Sequence, residues 1–315
     1  MKIIFLKVYH NLQSYSSSSK TIVTLGTFDG VHIGHRVILE KLKTQANINS
    51  LESLVLTFFP HPRMVLQQNS EIKLLNTIAE KIQLLESINI DNLIIHPFDV
   101  EFSRLTAEEF VKDILVDKLN VAKIIIGYDH RFGRNRTATI EDLIEFGKLY
   151  NFEVEQILAK ELDEVTISST KIRKALENGN ISLANEFLGY NYFISGKIIS
   201  GKKIGRTIDF PTANIKIEEN YKLIPKNGVY IVSSEINKVT VFGMMNIGNN
   251  PTVDGNSESI EIHFLNFNQD LYNEKLKISF ITRIRDEEKF NSIEELKNQL
   301  KKDRNFTINF LNSEK

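Results

Sequence analysis

The sequence predicts two folded parts: an α/β domain with a parallel, doubly wound sheet, and a smaller antiparallel β-barrel or sandwich that ends in a helix. In the first half, continuous apolar runs alternate with helical patterns, as in strands that are buried on both faces and joined by helices. In the second half, short strand-like runs follow one another between Gly, Asn, Asp and Pro. The length of 315 residues fits about two domains at roughly 150 residues each.

The first half is expected to alternate strands and helices in a regular order. Its predicted strands are apolar runs bounded by Gly, Pro or polar residues, at 21–28, 53–59, 92–95, 121–127 and 152–157. Its predicted helices lie at about 34–46, 79–88, 106–119 and 140–150. Thr106 precedes Glu108 and Glu109 and can cap the third of these helices.

The second half is expected to form short antiparallel strands and one terminal helix. The strands are predicted at 193–200, 213–217, 228–232, 239–247, 259–264 and 276–282, and the helix at 293–301. A short helical stretch at 183–188 precedes them, which places the boundary near 189–192. The predicted domains are therefore 1–188 and 189–315.

The composition excludes several classes of function. Lys and Arg total 39 against 40 Asp and Glu, so the net charge of −1 gives no general attraction to nucleic acid or to an anionic membrane, although a local basic patch stays open. The absence of cysteine excludes disulfides, thiolate zinc sites and a cysteine nucleophile. The apolar run Ile3–Leu6 is too short for a signal peptide. We expect a soluble cytoplasmic protein without membrane or nucleic-acid partners; its oligomeric state stays open, with a monomer favoured.

A Gly- and His-containing run joins the first predicted strand to the first helix. This run, Gly26–His35, reads GTFDGVHIGH and lies at the carboxyl end of a strand, where ligands of open α/β sheets bind. The helix start offers free N–H groups to a phosphate, and His32 and His35 can donate hydrogen bonds to its oxygens. Two alternatives stay open: a Gly-rich turn with incidental histidines, and a metal site formed by Asp29 with the two histidines.

A second polar run opens a short helix that ends at Gly179. Within Ser168–Arg173, Ser169 or Thr170 can cap the helix, and Arg173 follows about one turn later. Hydroxyls, helix N–H groups and a guanidinium group together can clamp a polyphosphate. Taken alone, the run is better explained as a plain capped helix, but its presence together with the His-containing run in one α/β domain favours nucleotide binding.

The second half lacks the two common ATP-phosphate motifs. The run Gly196–Lys203 nearly matches a P-loop, but Lys203 stands where that motif requires Ser or Thr. The kinase triplets HRD and DFG are absent from the sequence. A flexible Gly-Lys loop at 201–206 can nevertheless wrap a polyphosphate through its N–H groups and its ammonium charges.

Three further residues of the second half suit phosphoryl transfer to an alcohol. The oxygens of Thr212 and Asn214 can serve Mg²⁺, and the carboxylate of Glu261 can take the proton of an attacking hydroxyl. From the residues alone, a surface hairpin with a Lys-rich turn and one exposed Glu is the favoured alternative.

The N-terminal motifs carry a resemblance to a known family. HIGH at 32–35 with ISSTKIR at 167–173 resembles the HxGH nucleotidyltransferase superfamily. With TFFPHP at 57–62 and IGYDHRFGRNR at 126–136, the half is similar to the FMN adenylyltransferase part of bacterial bifunctional FAD synthetases. The resemblance implies a Rossmann-like domain in which the phosphate of FMN attacks the α-phosphorus of ATP, without a protein nucleophile and with help from Mg²⁺.

The same resemblance assigns site residues to the first half. It implies catalytic roles for His32, His35 and Arg173. The implied ATP-binding residues are Gly26, Phe28, Asp29, Gly34, Ser169 and Thr170. The implied pocket for FMN and adenine consists of Phe58, Pro60, Asp129, Arg131 and Phe132.

Motifs in the second half resemble the riboflavin kinase module, a small β-barrel. They are GKKIGRTIDFPTAN, NGVYIV, NIGNNPTVDG, EIHFL and RIRDEEKF, at 201–214, 227–232, 246–255, 261–265 and 283–290. The resemblance implies that Glu261 is the base on the riboflavin 5′-hydroxyl and that Arg285 lies near the flavin. The implied residues for ATP are Gly201, Lys202, Gly205, Thr212 and Asn214, of which the last two also serve Mg²⁺.

The sequence departs from the family pattern at several positions. Asp209 and Asn273 replace glycines, Asn250 replaces an Arg, and His130 stands where the family has Phe. Ala138 lies where a Gly is usual. Asp209 is expected to put a carboxylate beside the phosphate loop, where it weakens ATP binding or stiffens the loop.

The resemblance implies a bifunctional enzyme of flavin cofactor synthesis that takes riboflavin to FMN and then FMN to FAD, with ATP in both steps. Two alternatives stay open: an enzyme that retains one activity, and a flavin-binding protein without turnover.

Overall fold

A computed structural model describes residues 6–67, 71–128, 130–158, 167–201, 205, 208–252 and 255–313. For 250–252 and 255–258 only the backbone is described. The chain divides into two compact units, 1–169 and 170–315, whereas the sequence-based boundary after residue 188 stays a prediction. No helix in these described ranges is long and apolar enough to cross a membrane.

The first unit contains a six-stranded sheet in the order β1-β4-β3-β2-β5-β6, and all neighbouring strands run parallel. Its strands are β1 (Lys7–Tyr9), β2 (Thr21–Leu25), β3 (Glu52–Phe58), β4 (Asn92–His96), β5 (Val121–Gly127) and β6 (Glu153–Ile157). Every residue of β2 is buried, because helices cover both faces of a doubly wound sheet. The predicted parallel sheet is confirmed. The edge strand β1 was not predicted, since three half-exposed residues carry no periodic signal.

Helices connect these strands near the predicted positions. They are α1 (Ile33–Ile48), α2 (Pro62–Leu66), α3 (Ile78–Glu86), α4 (Ala107–Glu109) and α5 (Ile140–Tyr150). Thr106 caps α4 in a capping box with Glu109, as the sequence indicates. The prediction of one regular helix to Leu119 is wrong, because α4 passes into a π-helix at Phe110–Val116 that buries four apolar side chains.

The strand order creates a switch point between β2 and β5. The chain moves from β2 to β3 and β4 on one side and from β5 to β6 on the other. Open α/β sheets bind ligands beyond the carboxyl ends of the strands at such a point. Three of the four N-terminal motifs follow β3, β2 and β5, which are adjacent strands, so this fold gathers them at one edge of the sheet.

The second unit is a closed antiparallel barrel in the order β10-β11-β8-β7-β12-β9. Its strands are β7 (Phe193–Ile199), β8 (Ala213–Lys216), β9 (Gly228–Ile236), β10 (Val239–Thr252), β11 (Gly255–Phe264) and β12 (Lys275–Arg285). Two short helices, α6 (Ser169–Glu177) and α7 (Ile181–Leu188), precede it. The sequence left a barrel or a sandwich open, and the barrel is confirmed. Several strands are longer than predicted. In β10 and β11 the strand continues through Asn and Gly residues, which usually mark the end of a strand.

The terminal helix α8 (Ile293–Ser313) packs one face on the outside of the barrel. Leu296 and Leu300 contact an apolar cluster formed by Ile208, Phe210 and Met244. The predicted end at residue 301 is wrong, because the helix continues through a charged run to Ser313. The reason is a buried ion pair further along the same face.

Arg285 binds the buried carboxylate of Asp303 on α8. Its Nε lies 3.1 Å from both carboxylate oxygens and its Nη2 lies 2.7 Å from Oδ2, while its Nη1 donates to the Asp286 carbonyl at 3.0 Å. Asp303 is 2% exposed, so its charge needs this partner. The guanidinium group that the sequence placed near a flavin therefore anchors α8 to the barrel, and its flavin role stays a prediction.

Breaking this ion pair is expected to destabilise the second unit. Arg285→Met leaves a buried carboxylate unpaired and should lower the free energy of unfolding by about 3–5 kcal/mol. Asp303→Asn should also lower the free energy of unfolding. The loss in the double variant should be smaller than the sum of the two single losses, because each variant removes the same ion pair. Denaturant unfolding of the three variants measures the coupling, and strictly additive losses would contradict it.

Candidate active sites

The turn between β2 and α1 presents His32 and His35 side by side. The Nδ1 atom of His32, the N-cap residue of α1, accepts a hydrogen bond from the backbone N–H of His35 at 3.4 Å. The two imidazole rings stack with their centroids 3.6 Å apart, and the ring of Phe28 meets His35 edge-on at 5.2 Å. The arrangement places both predicted histidines at the positive end of α1, where an anion is favoured.

Burial keeps both histidines uncharged at neutral pH. It lowers the pKa of His32 from 6.5 to about 4, although the nearby Asp29 charge opposes the shift. Burial, His32 and Lys81 together lower the pKa of His35 well below its usual value. Because Nδ1 of His32 accepts a hydrogen bond, its neutral ring must carry the proton on Nε2. This N–H is a donor suited to a phosphate oxygen.

Asp29 holds the turn through its carboxylate and its backbone. The side chain is 2% exposed and accepts hydrogen bonds from the backbone N–H groups of Leu75 and Asn76, at 3.0 and 3.4 Å from Oδ1. The hydroxyl of Ser169 donates to the Asp29 carbonyl at 2.9 Å. The structure therefore joins the two polar runs of the first half: the residue that opens α6 contacts the turn after β2. Thr170 and Arg173 follow Ser169 on α6, and their roles stay predictions.

The metal alternative for Asp29 and the two histidines finds no support in this geometry. The Asp29 carboxylate is engaged by backbone N–H groups, and His32 Nδ1 faces the backbone of His35. Within the ranges that the structure describes, no group of three or more His, Asp or Glu side chains is placed to hold a metal ion.

Glycines allow close packing around this turn. A Cβ atom on Gly26 would lie 3.3 Å from the ring of Phe28, which is buried against the turn. Gly34 is buried in the first turn of α1. Gly34 therefore lies between the two histidines in the chain, and Gly26 lies against the Phe28 ring that meets His35.

An aromatic cluster links two of the predicted FMN-pocket residues. The ring of Phe58 at the end of β3 lies 5.4 Å from Phe102, which contacts Phe110 at 6.2 Å, and Phe110 contacts Phe132 at 6.0 Å. Phe98 adds a further ring 5.7 Å from Phe58. Such a cluster suits a planar aromatic ligand. The sequence predicted its two ends but missed the phenylalanines between them.

The remaining predicted pocket residues do not belong to this cluster of rings. Pro60 and Arg131 are exposed, and Arg131 directly precedes Phe132. Asp129 lies outside the described residues. His130, the departure from the family Phe, stacks on Phe132 at 6.3 Å and so supplies a ring of its own. The other departure, Ala138, forms a bridge with Phe132.

The second site is a row of polar side chains on the outer face of the barrel. Glu261 of β11 pairs with Asn214 of β8 on one side and with Asn246 of β10 on the other. Residues directly opposite each other in antiparallel strands share a face. Ile260 and Ile262, the neighbours of Glu261, point into the buried interior, so the row faces outward. The Thr212 hydroxyl donates to Glu261 Oε2 at 3.1 Å, which brings the three predicted residues together.

Two glycines of the predicted phosphate loop are closely packed. A Cβ atom on Gly201 would meet the side-chain amide of Asn214, a member of this row, and one on Gly205 would clash with the backbone carbonyl of Phe210. Gly201 therefore lies against the row, and the position of Gly205 has no room for a side chain. Lys202, the predicted phosphate ligand between them, lies outside the described residues.

Asp209 occupies a backbone position that suits the glycine of the family. Its φ is +65°, and Asn273, the second replacement of a glycine, has φ +68°. Asp and Asn tolerate this left-handed region better than most residues. The exposed side chain of Asp209 binds Lys297 of α8 at 2.9 Å, and its expected effect on the phosphate loop stays a prediction. The side chain of Asn250 lies outside the described part of the chain.

The fold and the two sites define a two-domain enzyme of phosphate-group transfer, with a nucleotidyltransferase-like turn in a parallel sheet and a kinase-like row on a barrel. A family model described as FAD synthetase matches residues 14–171, and one described as riboflavin kinase matches residues 188–311. The chain therefore belongs to the family of bifunctional riboflavin kinase/FMN adenylyltransferases and carries both of its domains.

Relatives with that description span nearly the whole chain. The protein of Buchnera aphidicola subsp. Schizaphis graminum is 41% identical, with 96% of both chains covered. The protein of Listeria monocytogenes serovar 1/2a is 37% identical, with 98% of both covered. A crystal structure titled as a macrolide-efflux protein from Streptococcus pneumoniae has a TM-score of 0.88 at 33% identity, and covers 97% of this chain and 99% of that one.

Lys81 is the main site-adjacent residue that sequence reasoning missed. It lies on α3, is 4% exposed, and donates from Nζ to the Thr27 carbonyl at 2.7 Å. A lysine in an amphipathic helix is normally read as exposed. The sequence did carry one signal. Lys81 follows Glu80 in a helix whose neighbouring residues are largely apolar, so that both charged residues can be drawn into the buried face.

Titration of His32 is expected to show the effect of burial. Its NMR signal should move with a midpoint near pH 4 in the ligand-free protein. Since the folded pKa lies below the unfolded value of 6.5, the contribution of the neutral ring to stability is complete above pH 6.5 and is lost as the pH falls towards 4. His32→Gln identifies the signal by its loss. A midpoint near 6.5 would show that the ring is solvated.

The left-handed backbone conformation of Asp209 is expected to determine how substitutions at this position change the melting temperature. Asp209→Gly should keep the melting temperature and the kinase activity, because glycine accepts a φ of +65° freely. Asp209→Ala should lower the melting temperature by about 2–4 °C, as a Cβ atom is disfavoured there. Calorimetry of the two variants compares them directly. Equal melting temperatures for Gly and Ala would refute a backbone effect.

Proposed function

We propose that the barrel domain phosphorylates riboflavin to FMN and that the parallel-sheet domain adenylylates FMN to FAD, each with ATP. The observation that carries this proposal is the presence of two separate sets of phosphate-handling residues, one at the switch point of the sheet and one on the barrel. Each set lies within the match to the corresponding family model.

In the kinase reaction, Glu261 acts as the general base. Its carboxylate takes the proton of the riboflavin 5′-hydroxyl, and the oxygen attacks the γ-phosphorus of ATP. The bond from that phosphorus to the bridging oxygen breaks, and ADP leaves. The Thr212 hydroxyl, 3.1 Å from Glu261 Oε2, orients the carboxylate. Gly201, Lys202 and Gly205 cover the phosphates in this proposal.

The oxygen-rich row of the barrel fits Mg²⁺. Hard cations prefer hydroxyl, amide and carboxylate oxygens, and Thr212, Asn214 and Glu261 bring these three types together. Thr212 and Asn214 would hold the ion with the phosphates of ATP. When bound, it would neutralise the charge that develops on the transferred phosphoryl group.

In the adenylyltransferase reaction, binding and orientation do most of the work. A phosphate oxygen of FMN attacks the α-phosphorus of ATP, the bond to the α,β-bridging oxygen breaks, and pyrophosphate leaves. His32 donates from Nε2–H to the phosphates, and His35, Ser169, Thr170 and Arg173 complete the cradle. Such fixed donors stabilise the charge in the transition state.

The flavin of this reaction would lie on the aromatic cluster. Phe58 and Phe132 contribute two of its rings, and Pro60, Asp129 and Arg131 form its edge. The cluster follows β3 and β5, which flank β2 in the sheet. FMN and the nucleotide would therefore meet at the carboxyl ends of adjacent strands.

We further propose a cytoplasmic monomer that acts on small molecules and not on nucleic acid. The net charge of −1 supports the absence of a nucleic-acid partner, and the lack of cysteine in the sequence fits a reducing cytoplasm. Sedimentation at micromolar concentration and a nucleic-acid gel shift test it.

Two assays distinguish the proposal from its alternatives. The pure protein is incubated with riboflavin, ATP and Mg²⁺, and separately with FMN, ATP and Mg²⁺, and the flavins are separated by chromatography. Formation of both FMN and FAD supports two activities. Formation of one product alone supports a single working domain. Tight flavin binding without ATP consumption supports a storage protein.

The variant Glu261→Gln is expected to separate the two activities. It should reduce FMN formation by at least about a hundredfold, because the general base is lost, while the conversion of FMN to FAD stays within about twofold. The matched control is Glu235→Gln, the same change at an exposed position of β9 in the same barrel. Loss of both activities in a folded Glu261 variant would contradict two independent sites.

A further inference from the structure

Lys81 is a buried charge next to the proposed adenylyltransferase site. Burial lowers its pKa to about 8, against the attraction of Asp29, so the side chain is still mostly protonated at neutral pH. An ammonium group removed from water requires specific partners to offset its lost hydration. The position of those partners indicates what the residue does.

The chief partner of Lys81 is a backbone group of the turn after β2. Its Nζ donates to the Thr27 carbonyl at 2.7 Å, and the Thr57 hydroxyl donates to the same oxygen at 3.2 Å. Two donors on one carbonyl fix the orientation of the peptide plane between Thr27 and Phe28. In a trans peptide the carbonyl and the following N–H point in opposite directions. The Phe28 N–H is therefore directed away from Lys81.

The turn needs such support because its backbone is strained. Phe28 has φ +44° and the β-branched Val31 has φ +37°, with Gly30 between them at +88°. Non-glycine residues hold this region only when their surroundings determine it, and such strain is concentrated at functional sites. Lys81 fixes the start of the turn, and the backbone N–H of Leu75 fixes Asp29 at its centre.

Lys81 also influences the charge state of the histidine pair. Burial is the main cause of the lowered pKa of His35, and the charges of His32 and Lys81 lower it further. The same charge is attracted to Asp29, which is 2% exposed. From α3, the ammonium group therefore acts electrostatically on both the carboxylate and the histidines of the turn.

We propose that Lys81 is a positioning residue for the nucleotide: held on the Thr27 carbonyl, it keeps the turn 27–31 in the conformation that receives the triphosphate. Its role rests on the proposed adenylyltransferase function of that turn. Lys81 does not touch the reacting atoms in this proposal. It acts through the backbone that carries Phe28, Asp29 and the histidine pair.

The first test compares two lysine variants of the same unit. Lys81→Met removes the ammonium group and keeps a similar length, while Lys43→Met removes a partly buried lysine of α1 that binds Asp91 at 2.9 Å. Lys81→Met should raise the KM for ATP in FAD formation roughly tenfold, the loss expected for one charge-assisted hydrogen bond. Lys43→Met should leave this KM unchanged, and FMN formation in the barrel should stay the same in both.

The second test reads the turn directly by amide hydrogen exchange. The Val31 N–H donates to the Phe28 carbonyl at 3.2 Å, so exchange at Val31 reports the closed turn. It should become faster in Lys81→Met and not in Lys43→Met. Should Lys81→Met fail to fold, Thr57→Val removes the second donor to Thr27 with little change of shape. This variant should show faster exchange at Val31 and a severalfold rise in the same KM.

Several results would overturn the positioning role. They are an unchanged KM for ATP with unchanged exchange at Val31, or equal effects of the two lysine variants. A wild-type protein that forms no FAD would remove the adenylyltransferase function instead. In that case the exchange at Val31 still decides whether Lys81 holds the turn.

Discussion

The backbone of the turn between β2 and α1 is the constraint on which the N-terminal site depends. Left-handed residues reverse the chain within a few positions, so that strand β2 ends and helix α1 begins at the switch point of the sheet. The turn is held from several sides: Lys81 and Thr57 bind its first carbonyl, the 75–76 backbone binds Asp29, and Ser169 binds its central carbonyl. These hydrogen bonds fix the backbone that carries the two histidines, which gives their rings a defined direction.

In the barrel, the polar residues of the proposed kinase site are positioned by regular strands and not by a strained turn. Strands β8, β11 and β10 lie side by side, so the residues that face each other across them form a row without any special turn. The interior keeps its apolar side chains, since Ile260 and Ile262 point inward while Glu261 points out. Gly201, before β8, lies against Asn214 of this row, where a side chain would displace the amide. The position of Glu261 therefore depends on the register of β11, because a shift of that strand by one residue would turn the carboxylate into the interior.

Much of this architecture could be predicted from the sequence, because buried strands and amphipathic helices leave periodic patterns. The strand Val121–Gly127 and the helix Ile140–Tyr150 have the predicted bounds. The motifs also predicted that Thr212, Asn214 and Glu261 act together. The features that the sequence did not predict depend on residues far away in the chain. The length of α8 depends on the pairing of Arg285 with Asp303, and the burial of Lys81 depends on a carbonyl 54 positions away.

The uncharged state of the histidine pair has a consequence for the release of pyrophosphate. Imidazolium groups would hold a highly anionic leaving group by long-range attraction that weakens with added salt. In the proposed site, neutral rings would hold it through directed hydrogen bonds of short reach, which end once the ion has shifted by about an ångström or two. The burial that keeps His32 and His35 uncharged in the ligand-free protein would thereby favour the exit of the product.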